Sequence, residues 1–170
     1  MSAILGIYAG FTLNKDVVSG IDVVNPSGSK SALIVYQPGL SSFPRDVSYA
    51  FENGLATSGW RVELTTASSQ APSDLSKYSL LVLGFPCYGG TPGTAIIRYV
   101  DRLTNLNGIN TVIVACAAGS TGGSVDVMTQ KVQAAGGTFK ESMTLFTLAP
   151  NTGGGAATDI ARQAGTQIHP

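Results

Sequence analysis

Charge is scarce in this chain. Asp, Glu, Lys and Arg make up 12% of its 170 residues, and ten acidic side chains cancel ten basic ones. With no net field, nothing steers the chain onto the polyanionic backbone of nucleic acid. A 44% hydrophobic content excludes an intrinsically disordered chain. Cysteine is nearly absent: Cys87 and Cys116 form neither a Cys-x-x-Cys pair nor a zinc spacing. The chain therefore reads as reduced and intracellular. Its one histidine, His169, stands beside Pro170, where fraying is expected, and makes a poor catalytic base. Asp22, Asp46 and Asp101 are scattered without ligand spacing, so no metal site is expected. The Gly-x-Ser-x-Gly elbow of α/β-hydrolases and the Gly-x4-Gly-Lys-Ser/Thr phosphate loop are both missing.

Long apolar runs are also lacking. Residues 1–13 are apolar, with Ile4, Leu5, Ile7, Tyr8 and Phe11, but fall short of the roughly 20 residues a membrane span needs. No basic segment precedes them, which argues against a signal peptide. Residues 1–30 read as an N-terminal arm ahead of one domain, residues 31–170. The arm is an extra strand, a docking segment or the remnant of a membrane anchor. The expected location is cytoplasmic, with tethering through the arm left open.

What is present is an alternation of strand and helix patterns. After the turn cluster Asn25-Pro26-Ser27-Gly28 comes a buried-strand run, Ala32-Leu33-Ile34-Val35-Tyr36. Pro44 then opens a helix with Val47, Ala50, Phe51 and Leu55 on one face, ending near Gly59. Residues 60–66 alternate Val62 and Leu64 with Arg61 and Glu63, which predicts an edge strand with one wetter face. Trp60, at its start, is expected to pack beneath the first helix. Residues 74–78 read as a short helical turn, 80–85 as the third strand and 94–103 as a helix. The fourth strand spans 111–117, and a helix over 124–135 is stopped by Gly136-Gly137. Residues 139–148 give the fifth strand and 159–168 the last helix. This order predicts a central parallel sheet in a three-layer, doubly wound α/β sandwich.

The most informative segment is Leu80-Leu81-Val82-Leu83-Gly84-Phe85-Pro86-Cys87-Tyr88-Gly89-Gly90. A near-continuous apolar strand, as a sheet covered on both faces requires, stops at Gly-Phe-Pro and is followed by a ring and two glycines. This resembles the flavodoxin family, in which such a strand ends in Gly-Ser-Pro-x-Tyr-x-Gly; Phe85 stands where the serine would be. The resemblance covers nearly all of residues 31–168. It implies a five-stranded sheet in the order 2-1-3-4-5, with ligand bound where loops meet at the carboxyl edge. It also implies non-covalent FMN, with Tyr88 stacked on the flavin ring and Gly89 and Gly90 at the N5 edge.

Three loops would build that site. The first carries Gln37, Gly39, Ser41, Ser42 and Arg45, in the place of a family phosphate loop of the form Ser/Thr-x-Thr-Gly-x-Thr. Ser41 and Ser42 would supply hydroxyls and Arg45 a countercharge. The Thr-Gly pair is absent, however, and Pro38 and Pro44 each remove an N–H donor. A serine pair before a helix is equally an ordinary cap. The second loop carries Pro86, Cys87, Tyr88, Gly89 and Gly90. Its Cys87 either touches the ligand or fills space, since no cation neighbours it in sequence to lower its pKa. The third offers Gly119, Ser120 and Gly122, a glycine-rich turn common to many α/β proteins. The resemblance thus implies an FMN-dependent redox protein that passes electrons to a docked partner protein or a small quinone. An NAD(P)H-dependent quinone or flavin reductase and a flavin-free interaction or small-ligand module remain alternatives. Free flavodoxin carriers are strongly acidic, which this chain is not.

Overall fold

A computed structural model of the chain describes residues 15–170, so the reading of residues 1–13 lies outside it. Five parallel strands form the centre: β2 (Ser31–Tyr36), β3 (Arg61–Thr66), β4 (Leu80–Tyr88), β6 (Asn110–Ala117) and β7 (Thr138–Phe146). Two short strands join them, β1 (Asp22–Val24) and β5 (Thr91–Pro92). The spatial order is β1-β3-β2-β4-β6-β7, with β5 paired to β4. Without the two short additions this is the 2-1-3-4-5 order expected from the sequence. The helices are α1 (Phe43–Thr57), α2 (Thr94–Asp101), α3 (Ser124–Ala134) and α4 (Ala157–Thr166).

Strand alternation divides the core in two. Ala32, Ile34 and Tyr36 of β2 face a layer that includes Val47, Phe51 and Leu55 of α1 and Ala161 of α4. Leu33 and Val35 face the other layer, with Ile96, Tyr99 and Val100 of α2 and Met128 and Val132 of α3. Each large side chain fully buried in this way stabilises the fold by about 1.5–3 kcal/mol. On the first face, α1 and α4 approach closely. A Cβ at Gly54 would stand 2.2 Å from the Arg162 carbonyl oxygen, and one at Gly165 would stand 2.6 Å from that of Phe51. Trp60 packs in this same layer, and its Nε1 donates to the Ile168 carbonyl at 2.8 Å.

Two expectations need correcting. The strand over 61–66 is not an edge: β1 pairs antiparallel with it, Asp22 opposite Leu64, and its residues from Val62 onward are buried. Glu63, the polar residue that suggested a wet face, is a buried carboxylate with charged partners. Arg61 Nη2 donates to it at 2.7 Å, Lys77 Nζ at 2.9 Å, and the Tyr78 hydroxyl also donates. The segment 74–78 is not helical either. Asp74 accepts the Ser76 N–H at 3.0 Å, and the Tyr78 N–H bonds the Leu75 carbonyl at 2.9 Å. The short Asp side chain offers the backbone a local partner that competes with helix formation. The third strand also runs past Phe85 to Tyr88, because Pro86 stays in register opposite Cys116.

Burial alone would raise the Glu63 carboxyl, but the hydrogen bonds from Tyr78, Arg61 and Lys77 outweigh it and hold the pKa at about 2. The unfolded chain releases this proton near 4.5. The contribution to stability is therefore complete above that pH and is lost as pH falls toward 2. Glu63→Gln is expected to cost about 1.5–3 kcal/mol at pH 7, as for lost hydrogen bonds to a charged group. The deficit should shrink as pH falls toward 2, as read by urea unfolding.

Candidate functional site

The loops after β2, β4 and β6 meet at the carboxyl edge of the sheet, where open α/β folds take their ligands. The first touches the second: the Leu40 N–H donates to the Tyr88 hydroxyl at 2.9 Å. The second touches the third: a Cβ at Gly122 would lie 2.7 Å from the Gly90 Cα. Gln37 lies deeper than the site expected of it. It is buried, and its Oε1 accepts the Ile96 N–H at 3.0 Å, capping the first turn of α2. The carboxamide fills the space a Cβ at Gly93 would need, 2.3 Å away. Its side chain therefore serves the fold and is not offered to a ligand.

At the start of α1 two of the three expected anion donors, Ser42 and Arg45, already have an anion. Ser42 Oγ donates to Asp46 Oδ2 at 2.6 Å, and Arg45 Nε and Nη2 donate to Asp46 Oδ1 at 3.0 and 2.9 Å. Ser42 and Arg45 hold the Asp46 carboxyl below its usual range. Ser41 Oγ accepts the Phe43 N–H at 3.4 Å. Half of the backbone N–H groups of this stretch are spent as well. Between residues 37 and 46 the prolines 38 and 44 have no N–H, and those of Gln37, Leu40, Phe43 and Asp46 all have acceptors. Gly39 lies against the same cluster, its missing Cβ 3.1 Å from the Tyr88 hydroxyl.

The second loop is a tight β4–β5 hairpin, Cys87 opposite Pro92 and Tyr88 opposite Thr91. Gly89 and Gly90 have φ of +57° and +79°. Two successive positive values are what a two-residue hairpin turn of the type I′ class requires, and glycine supplies them without strain. The turn presents the Tyr88 ring, half-buried, at the edge of a crevice of about 250 Å³. Leu40, Phe43 and Pro44 bound it on one side, and Pro86, Cys87 and Cys116 on the other. Burial pushes the Cys87 thiol up, so Cys87 meets the crevice as a neutral group. In the third loop Ser120 Oγ accepts the Gly122 N–H at 3.2 Å, and Gly119 is exposed beside Ala149.

The structure thus brings Ser41, Pro86, Cys87 and Tyr88 onto one crevice. Arg45 and Ser42 turn to Asp46. Phe43, Pro44, Cys116 and Thr147 also line the crevice without a signal in the sequence that marks them; the apolar pattern of 139–148 puts Thr147 inside the fifth strand. Sequence reasoning also missed Asp46, for which the signal was an acidic side chain in the first helical turn next to Arg45. A larger cavity, about 650 Å³, lies at the opposite edge near Asp74, Arg102 and Asn110, where the strands begin. That is the edge away from the loops that take ligands in such sheets.

No family model and no curated protein matches the sequence. Solved structures do match. A flavodoxin from the domain Archaea superposes with a TM-score of 0.66 at 16% identity, over 81% of this chain and 95% of that one. The two-electron reduced flavodoxin of Megasphaera elsdenii gives 0.65 at 16%, over 81% and 99%. The fold is flavodoxin-like. An azoreductase of Bacillus anthracis, at 0.63 and 11% over 82% of this chain and all of its own, shows the same flavodoxin-like architecture. Among the described residues no helix is long and apolar enough to cross a membrane.

The contact between hairpin and third loop is testable. Gly122 has φ +52° and no room for a Cβ, while Gly123 has open space around it. Gly122→Ala is expected to destabilise by about 1–3 kcal/mol through backbone strain and displacement of Gly90. Gly123→Ala should be within about 0.5 kcal/mol of neutral. Chemical denaturation of the two variants makes the comparison.

Proposed function

We propose that the protein is a redox module that holds the flat ring system of a flavin in the crevice beside Tyr88 and exchanges electrons with a docked partner. The observation that carries this reading is the position of Tyr88: an aromatic ring at the mouth of an apolar crevice, at the carboxyl ends of β4 and β6 of a flavodoxin-like sheet. Aromatic side chains stabilise a flat ligand through offset stacking without demanding polar partners. A bound flavin would supply reversible electron transfer, while the chain sets its position and surroundings. The neutral Cys87 thiol, Pro86 and Phe43 would exclude water from the ring.

The two ends of FMN fare differently against these residues. The crevice is just below the roughly 300–1,000 Å³ of pockets that engulf a whole small molecule, so it matches a partly enclosed ring. The phosphate finds fewer donors, because the Ser42 hydroxyl and the Arg45 guanidinium are bound to Asp46, which leaves the Ser41 hydroxyl at the crevice. Leu40, 57% exposed at the rim, gives a partner protein or a small quinone an apolar contact beside the ring.

One observation favours a second reading, in which the crevice works without flavin as a docking or small-ligand site. The Leu40–Tyr88 hydrogen bond folds the first loop over the ring that would stack on the flavin. Titration of riboflavin and of FMN, followed by flavin fluorescence, separates the two. Quenching with saturation at micromolar flavin is expected. Tyr88→Ala should weaken binding by about 1–3 kcal/mol, as for other losses of stacking on a flat base. No binding of either flavin at tens of micromolar would favour the flavin-free reading. Stopped-flow mixing with NAD(P)H then tells a carrier from a reductase, since rapid bleaching marks the latter.

A further inference from the structure

We propose that Asp46 serves as a built-in counter-anion at the start of α1, so that the crevice selects flat aromatic ligands with uncharged tails and rejects those ending in phosphate. For flavins, which rests on the reading above, this means riboflavin-type ligands over FMN.

The argument begins with α1. The amino end of a fifteen-residue helix is a ready site for an external anion, through its free N–H groups and its dipole. Here this end borders the crevice, because Leu40, Ser41, Phe43 and Pro44 line it. An anion is already present. Asp46, in the first turn, takes a hydrogen bond from Ser42 and two from Arg45, and the local charges of Arg45 and Asp46 sum to zero. Ser42 is the N-cap residue, but its backbone is helical (φ −70°, ψ −11°) and its side chain makes no cap; its hydroxyl proton goes to the same carboxylate. A phosphate dianion arriving at the helix would meet a carboxylate of its own sign. It would have to displace that carboxylate from Arg45 and Ser42 before gaining either donor. A ligand with a neutral, hydroxyl-bearing tail meets no such opposition.

Asp46→Asn tests this. The side chain keeps its size and can still accept from Ser42 or Arg45, but the charge is gone. Removing one like charge a few ångströms away is worth about fivefold or more in the affinity of a dianion. Wild type is expected to bind riboflavin at least as tightly as FMN. The variant should move the FMN-to-riboflavin affinity ratio toward FMN by about that factor. A second arm uses inorganic phosphate alone, with the melting temperature as readout and sodium chloride of equal ionic strength as control. Phosphate should raise the melting temperature of the variant and leave wild type unmoved. Asp46→Ser repeats the measurement should the asparagine variant melt below the working range.

A wild type that binds FMN tenfold or more tightly than riboflavin overturns the proposal. So does a variant whose ratio and phosphate response both match wild type. If neither flavin binds at all, the flavin reading fails by itself. The phosphate arm then decides: a response confined to the Asp46 variants upholds the counter-anion, and an equal response in wild type and variant removes it.

Discussion

The pairing of β4 with β2 on one side and β6 on the other is the constraint from which the rest follows. Leu80 stands opposite both Ala32 and Asn110, and the ladders run in step to Gly84 on one side and Pro86 on the other. Parallel neighbours in register end at the same level, so the segments leaving them emerge side by side. The strand is apolar throughout and covered on both faces, so a slip of one residue would exchange two filled half-cores at once. Glycine at 84 belongs to the same arrangement: a Cβ there would lie 2.8 Å from Ser48 Oγ, so α1 can lie close over the strand ends.

Elements with one strong periodic signal could be read before the structure. The continuous apolar runs at 32–36, 80–85 and 111–117 and the stripe Val47, Ala50, Phe51 and Leu55 lie where expected, because burial on both sides or on one stripe leaves a periodic trace. Segments decided by a distant partner could not. Glu63 looks like a surface residue in any local window, and what buries it is a triad of Arg61, Lys77 and Tyr78, two members of which come from another segment. β1, three residues long, has no pattern of its own and exists because β3 offers it an edge. At 74–78 the local helical signal lost to the side chain of Asp74.

The candidate site divides in the same way. Tyr88 and its glycine pair stand out in the sequence, since an abrupt end to an apolar strand followed by Gly-Gly marks a tight turn, which the structure forms as a hairpin. The first loop misleads, because serines and an arginine read identically whether their partner is a ligand or the next residue along the chain. Arg45 and Asp46 are adjacent in sequence, yet only the rotamers show them facing one another. The outcome is an apolar crevice beside a polar cluster of Ser42, Arg45 and Asp46 that is closed upon itself.

β1 covers the outer flank of β3 with three residues, and Val23 within it is 43% exposed. The segment just before it is fastened too: Asp16 accepts from the Ser69 backbone and hydroxyl, and Ser19 bonds Thr66. A shortened protein starting at Ser31 would strip that cover from Val62, Glu63 and Leu64 and leave the outer flank of β3 unpaired. Two such copies could join flank to flank about a twofold axis, fusing their sheets into one. Residues 15–24 therefore act as a guard on this one flank of the sheet.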